Sequence, residues 1–477
     1  MDNFLMPERH RARRFLPYVL LLMGLSACTT VGPDYVEPKQ PLPVAWLHEQ
    51  TGFARQDPDS LRRWWQQFQD RTLDALVERA LSRNQDLNIA VARLKQAKAE
   101  RGQIVADLGP QVSAGASGQA RRSSKALDSP PGGELRSWQL GLDASWELDL
   151  FGGTRRAIEA ADAGIEALAQ DHGALQVSLI AELVSHYAGL RATQRRLDIA
   201  RDNVRNLRDT EQLVEQSRRR GLARQSELLQ ARAEREMAQA QLPVLEADIA
   251  RFSHSIGVLA GGFPSDWHAV LTQAAPALPV PPQLPAFLPS DLIRSRPDLR
   301  ADERRLAAAT AHIGQAEAQR FPMFRIPLGI GTAVSVIHDI FSSASLLWAA
   351  GLQAEHSLYD GGRAQSGIEA AQAKAQAAEL VYERDVHLAL REVEDALTSL
   401  HSQVQRQQSL QAALLDSEQA LEHATRLYKA GLSAYLPILV AQRSANQARD
   451  ALTLSQWDEV LAAIALYKSL GAGWQES

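Results

Sequence analysis

The sequence predicts a mixed α and β fold, internally duplicated, with very long coiled-coil helices and four transmembrane β-strands per chain. Three observations carry this. Residues from Leu148 to Gly261 recur from Leu358 to Gly471 at a constant offset of 210, anchored by Leu148/Leu358, Gly152/Gly362, Gly221-Leu222/Gly431-Leu432 and Gly261/Gly471. Upstream the copies continue at an offset of 212, through Asp86-Leu87/Asp298-Leu299, Arg93-Leu94/Arg305-Leu306 and Pro110/Pro322. One register held this long is a gene duplication, and two long copies are too few for a solenoid array. Each copy also contains a pair of segments with period-two alternation and a long stretch without proline.

The N-terminus carries Arg9, Arg11, Arg13 and Arg14, then the apolar run Phe15 to Leu22 and Leu25-Ser26-Ala27-Cys28. This is the pattern of a secretory signal, and its apolar core is shorter than the roughly 20 residues a permanent span needs. Cys28 is the only cysteine in the chain, which excludes an intrachain disulfide. Leu-Ser-Ala-Cys resembles a bacterial lipobox, which implies that Cys28 is the acylated first residue of the mature chain. Thr29, in place of Asp, implies by the same resemblance sorting to the outer membrane. Removal of residues 1–27 takes away four arginines and two acids and moves the formal charge from −5 to −7, which argues against a nucleic-acid partner.

These signals divide the chain into a signal peptide (1–27), a lipidated N-terminal extension (28–60), a first repeat (61–262), a proline-rich linker (263–289) and a second repeat (290–473). Repeat one has strands at about 111–122 and 136–150 and a tip near 221; repeat two has strands at about 324–334 and 346–359 and a tip near 431.

The clearest strand places Trp138, Leu140, Leu142, Ala144, Trp146 and Leu148 on one face and Gln139, Gly141, Asp143, Ser145 and Glu147 on the other. That is an apolar-out, polar-in pattern, long enough for a tilted transmembrane strand, which needs roughly 9 to 11 residues. Trp348, Ala350, Leu352, Ala354 and Leu358 repeat it. The upstream partners hold Val112, Ala114 and Ala116 in one copy and Phe324, Ile326, Leu328 and Ile330 in the other. Four strands leave two open edges, which cannot persist in hydrocarbon, so closure comes from other chains. With barrels starting at about eight strands, a dimer closes narrowly and a trimer gives twelve. Pro327 removes one ladder donor, and a bulge or a locally edge-like stretch is expected there.

Residues 154–216 and 363–428 contain no proline. As helices they run roughly 90 to 100 Å. Leu390, Val393, Leu397, Leu400 and Val404, with Ile180, Leu183, Tyr187 and Leu190 in the same register of repeat one, give a coiled-coil seam. Leu242, Leu245, Ile249, Phe252, Ile256 and Leu259 continue it on a returning helix. The helices reverse at Gly221 and Gly431, where glycine supplies a left-handed cap, and the tips point away from the strands. Pro243 should bend the first return helix, and Pro437 falls in or just before the first turn of the second. The prolines from Pro264 to Pro289 mark an extended linker.

The lipobox, Val31-Gly32-Pro33-Asp34-Tyr35, Trp146-Glu147-Leu148-Asp149-Leu150-Phe151-Gly152, Arg296-Pro297-Asp298-Leu299 and Leu358-Tyr359-Asp360-Gly361-Gly362-Arg363 together resemble the TolC-like outer-membrane efflux factors, in their NodT-type lipoprotein branch. The resemblance covers nearly the whole mature chain. It implies a homotrimer whose twelve strands form an outer-membrane barrel in contact with lipid and whose helices form a periplasmic α-barrel. It further implies a periplasmic adaptor (membrane fusion protein) and an inner-membrane pump of RND type as partners. By position, Gly221, Leu222, Ala223, Gly431, Leu432 and Ser433 resemble the tips that meet the adaptor. Leu436 matches the hydrophobic ring of the family's periplasmic gate, whereas Val440 occupies its usual acidic position. The run Arg218, Arg219, Arg220 and Arg224 is either a solvated charge run or a face for acidic groups on a partner.

No catalytic or metal-binding constellation emerges, and no cofactor is called for: the 12 histidines form no metal-type pair, and Asp360-Gly361-Gly362 reads as a strand-to-helix turn. The function expected is a passive export duct for small molecules or drugs, driven by its pump. The alternatives are the outer-membrane channel of type I protein secretion and a non-conducting coiled-coil scaffold lipoprotein.

Overall fold

The computed structural model describes residues 30–47, 58–122, 124, 134–273, 280–282, 284–286 and 288–474. The signal segment, Cys28, Pro276, Pro279 and nearly all of the 123–133 turn lie outside them. The main elements are α1 (Arg71–Arg83), α2 (Gln85–Ala106), β1 (Gln111–Arg122), β2 (Glu134–Leu148), α3 (Gly153–Arg219), α4 (Gln225–Leu259), α5 (Pro297–Ala318), β3 (Met323–Val334), β4 (Leu346–Ala350), β5 (Gln353–Glu355), α6 (Arg363–Lys429) and α7 (Tyr435–Ser469). Their boundaries repeat with the sequence. The helix pairs α3/α6 and α4/α7 begin and end 210 residues apart, and α2/α5 and β1/β3 do so at 212. α3 and α6 have 67 residues each, so each is about 100 Å long.

The chain forms two compact units, each assembled from three segments. One comprises the described parts of Met1–Lys39, Arg93–Leu168 and Ala301–Tyr382. It holds an antiparallel sheet of order β1-β2-β3, with β4 and β5 both on the far side of β3. β2 pairs β1 from Ser145↔Gln111 to Glu134↔Arg122 and β3 from Leu148↔Phe324 to Trp138↔Val334, without a slip in either register.

The expected fourth strand, 346–359, is interrupted and ends early, at Glu355. The cause lies across the ladder. Gly351 donates its backbone N–H to the Pro327 carbonyl at 3.0 Å, but Pro327 has no N–H to return, so pairing lapses at Gly351-Leu352. Leu328↔Ala350 before the gap and Arg325↔Gln353 after it share one register, so the edge-like stretch is present and a bulge is not.

In the same unit the N-terminal strap is pinned to the start of α3. Val31 donates to the Phe151 carbonyl at 3.2 Å. The buried Arg156 guanidinium donates to the carbonyls of Val31 (3.0 Å) and Gly32 (3.2 Å), to Asp34 (2.8 Å) and to Glu159 (2.8 Å). Gly32 has φ +91° and approaches Gly314 so closely that a Cβ would lie 2.3 Å from its Cα.

The second unit comprises the described parts of Gln40–Ala92, Ala169–Arg300 and Glu383–Ser477. Its core joins the Trp64–Phe68 turn, α1 and the middle of α3 to α4 and α7, and includes Trp64, Leu76, Ile180, Leu183, Leu190, Ile256, Ile464 and Tyr467. Each such side chain contributes about 1.5 to 3 kcal/mol on burial. Trp64 stacks on Tyr467 at 4.9 Å. Asp70 caps α1 by accepting from Thr72 N (2.8 Å) and Leu73 N (3.3 Å), and also accepts the Tyr187 hydroxyl. Arg191 donates to that hydroxyl at 2.8 Å, so the cap, the core tyrosine and a buried cation form one network.

On α6 the seam is Val386, Ala389, Val393, Ala396, Leu397 and Leu400, all buried. Val404 is exposed instead of continuing it. From this level the crossing is polar: Ser455 donates to Gln403 at 2.8 Å and Gln407 to Glu459 at 2.5 Å. α4 runs unbroken through Pro243, and Pro437 sits in the first turn of α7. The linker departs from an extended chain at His268–Leu271, a single helical turn that buries Leu271, whose carbonyl accepts from Gln194 at 2.7 Å.

Gly471 has φ +71°, and a Cβ there would lie 2.8 Å from the Ser295 carbonyl oxygen; Gly431 has φ +73° with nothing within 4 Å. Gly431→Ala therefore carries only the left-handed penalty, about 1 to 2 kcal/mol. Gly471→Ala adds a backbone clash. In thermal unfolding in detergent, Gly471→Ala is expected to lower the midpoint clearly more than Gly431→Ala; an equal fall would refute the close approach.

Candidate functional site

Two surfaces follow from this fold: the hairpin tips and the faces of the sheet. Both tips close in the same way. At the first, Gly221 N donates to the Arg218 carbonyl (2.9 Å) and Leu222 N to the Ser217 carbonyl (2.9 Å); at the second, Gly431 N donates to Tyr428 (2.9 Å) and Leu432 N to Leu427 (3.0 Å). These are paired Schellman closures, in which a left-handed glycine satisfies the last helical carbonyls. The residue after the glycine commonly folds back on its helix. Here Leu222 and Leu432 remain 78% and 76% exposed, so neither does so.

Behind the tips, Val214, Leu228 and Ala231 of the first hairpin pack with Tyr435, Ile438 and Leu439 of the second. Arg443 pairs with Glu234 across the two hairpins. On α7 the buried residues Tyr435, Ile438, Leu439 and Gln442 occupy one face, and Leu436 and Val440, each 59% exposed, stand together on another. The Tyr435 hydroxyl and Gln442 Oε1 are buried without a hydrogen-bond partner among the described residues. Burial, and then the Glu234 carboxylate, push the Tyr435 hydroxyl up to about 12.

The four arginines of the first tip divide. Arg218 and Arg219 both pair with Glu215, each at 3.0 Å. Arg220 and Arg224 have no ion pair among the described residues, and at the matching positions of the second tip stand Ala430 and Ala434. The spacing of Glu215 to Arg218 and Arg219, three and four residues along one helix, was the signal for this pairing.

The sheet register sorts its side chains by face. Trp138, Leu140, Leu142 and Trp146 of β2 line up with Val334, Thr332, Ile330 and Ile326 of β3, and Trp348 of β4 stands beside Ile330. The opposite face carries Ser113, Ser117, Gln139, Asp143, Glu147 and Arg325, with Gly115, Gly141 and Gly331 in one row across three strands. Among the described residues no helix is long and apolar enough to cross a membrane. Sequence reasoning missed Arg156 as the anchor of the strap. Its duplicate position is Ser366, but all of 153–157 differ from 363–367, so the divergence did not single it out.

A sheet apolar on one face and polar on the other, in one chain with helices of this length, fits a subunit of a membrane-crossing duct. The family model described as outer membrane efflux protein matches residues 76–262 and 288–472, and the chain belongs to that family. It is similar to the cation efflux system protein CusC of Escherichia coli O6:H1, 29% identical over 97% of this chain and 99% of that protein. Nodulation protein T of Rhizobium leguminosarum bv. viciae is 32% identical over 92% of this chain and 89% of its own length. The solved structure of the outer-membrane channel OprN superimposes with a TM-score of 0.87 at 36% identity, covering 94% of this chain and all of that one. The chain is thus an outer-membrane efflux channel, the duct of a tripartite efflux system.

The two arginines, Arg218 before Arg219, hold the Glu215 carboxyl at about 2, below its ordinary 4.5. A depressed carboxylate contributes fully above its unfolded value and loses that contribution as pH falls toward the folded one. Between pH 5 and pH 2.5 the thermal midpoint of the native protein is expected to fall further than that of Glu215→Gln. Parallel curves would show that the clamp adds nothing.

Proposed function

We propose that three copies of this chain close a twelve-stranded barrel in the outer membrane and that their helices form a passive duct through the periplasm. The carrying observation is the sheet: four strands with a continuous apolar face and two edges, β1 and β4/β5, that lack a partner strand among the described residues. Such edges require neighbours in hydrocarbon. Two copies would give a barrel of about eight strands, whose interior is just filled by side chains. The glycine row of Gly115, Gly141 and Gly331 would leave that interior unfilled, whereas twelve strands enclose a water-filled lumen.

Cys28 carries the lipid anchor in this reading. The strap pinned by Arg156 begins two residues later, at the turn where β2 passes into α3, and would hold the acylated end beside the barrel's periplasmic rim. The tip residues Gly221, Leu222, Ala223, Gly431, Leu432 and Ser433 dock a periplasmic adaptor, which couples the duct to an inner-membrane pump of RND type. Support comes from the two exposed leucines, which the chain's own fold leaves without a packing role. Leu436 and Val440 face the lumen as an apolar periplasmic gate. The orphaned Tyr435 hydroxyl and Gln442 oxygen behind them favour a tip that repacks when the gate opens. An unsatisfied buried polar group costs about 1 to 3 kcal/mol, which lowers the barrier to leaving this arrangement.

Drug or dye efflux in a deletion strain tests the docking role. Wild type is expected to restore efflux, and Gly221→Asp/Gly431→Asp to abolish it while surface expression and heat-resistant trimers persist. Equal efflux by the two would move docking off the tips. For the gate, Leu436→Ser is expected to raise the single-channel conductance of purified protein several-fold, and unchanged conductance would place the gate elsewhere.

A further inference from the structure

The polar face of the sheet carries few charges, and the register shows which of them are compensated. Glu147 lies opposite Arg325 and pairs with it at 3.3 Å. Asp143 lies between Ser113 on β1 and Gly329 on β3, with Ala349 next beyond. A Cβ on Gly329 would lie 3.2 Å from Asp143 Oδ1, so the carboxylate occupies ground that any larger residue at that position would contest. Among the described residues the Asp143 carboxylate has no ion pair. The remaining charges of this face stand toward the sheet ends, Arg121 opposite Leu135 and Glu355 opposite Met323. Arg325, the nearest cation along the ladder, is four rows away, or about 13 Å. That exceeds the Debye length of about 10 Å at 0.1 M salt, so Arg325 leaves Asp143 uncompensated.

We infer that Asp143 sets the ion preference of the conducting channel. This rests on the trimer reading above. In a threefold barrel the three carboxylates form one ring, about 10 Å from the axis of a twelve-stranded lumen. Their summed and partly screened potential there enriches a monovalent cation roughly twofold and depletes an anion by about the same factor at 0.1 M, a preference of roughly four- to fivefold. The proposed gate residues Leu436 and Val440 carry no charge and set no such preference themselves. Positively charged cargo gains from the same field, and anionic cargo is disfavoured.

The test is the reversal potential of purified wild-type protein in a planar bilayer under a KCl gradient. Wild type should show a potential on the K⁺ side, Asp143→Asn should cut the permeability ratio roughly four- to fivefold, and the difference should shrink near 1 M salt, where screening is about 3 Å. The double variant Glu147→Gln/Arg325→Gln removes a compensated pair and should leave the ratio unchanged. Asp143→Ser, a residue type already frequent on this face, serves should Asp143→Asn fail to give heat-resistant trimers. A conducting Asp143 variant with the wild-type ratio overturns the assignment alone. Absence of any conductance from wild type and from the gate variant Leu436→Ser alike overturns the trimer reading and the assignment with it.

Discussion

An unpaired strand edge in hydrocarbon is the constraint on which the rest of this structure depends. Backbone N–H and C=O groups cannot be left without partners there. The sheet meets that demand internally along β1, β2 and β3, whose ladders hold one register each over their whole length. It fails at the outer sides of β1 and β4/β5. The apolar row of Trp138, Leu140, Leu142 and Trp146 would be a liability on a monomer in water and is an asset only beside lipid. Membrane insertion and assembly are therefore one requirement, and the polar face, small and weakly charged, becomes the wall of whatever passes through.

Duplication supplied the parts, and divergence at matched positions shows which physical tasks are fixed. At the end of α4, Gly261 closes the helix against the Arg83 carbonyl; at the end of α7, Gly471 closes it against Ser295. Next to each contact stands a residue that joins the two helix ends, and here the chemistry differs. Asn84 donates to the Leu259 carbonyl at 3.1 Å while its own oxygen caps α2 by accepting from Asp86 N and Leu87 N. Its counterpart Arg296 donates to the Ser469 carbonyl at 3.0 Å and binds Asp298 and Glu392, each at 2.6 Å. One short amide and one buried guanidinium do related work: each donates to a carbonyl at the end of one helix, while Asn84 also accepts from the start of the next and Arg296 instead binds carboxylates on α5 and α6. The task was preserved and the residue was free to change.

That pattern explains what could be read in advance. Element identity followed from local periodicity, since the alternation in β2 and the absence of proline are properties of neighbouring residues, and the 210 and 212 offsets carried each reading to its second copy. Tip position was legible for the same reason, since a left-handed cap needs glycine whatever surrounds it. The interruption of the fourth strand was not legible on that strand, because its cause is Pro327 on the neighbour. Val404 fell off the seam because Gln403, one residue earlier, met Ser455 on another helix. Arg156 lacked any local mark, its partners being a strap more than a hundred residues upstream. Misses therefore occurred where a residue answers to a distant segment and not to its own helix or strand.

Within the second unit, stability is distributed unevenly, and the distribution suits a duct that must both stand and open. Around Trp64, Tyr187, Ile256 and Tyr467 the core is broad, and its polar groups Asp70, Tyr187, Arg191 and Gln194 are linked in one hydrogen-bonded chain. Within it Arg191 Nε alone is left without a partner among the described residues, and a buried network with this many internal bonds favours one arrangement. The tip cluster is smaller: it has few large members, and its buried Tyr435 and Gln442 each keep an unsatisfied atom. Regions of low packing and incomplete hydrogen bonding are those that open first below the global unfolding free energy. A rearrangement confined to the tips thus needs only the small cluster to give way, while the network anchored on Asp70 keeps the helices above it in place.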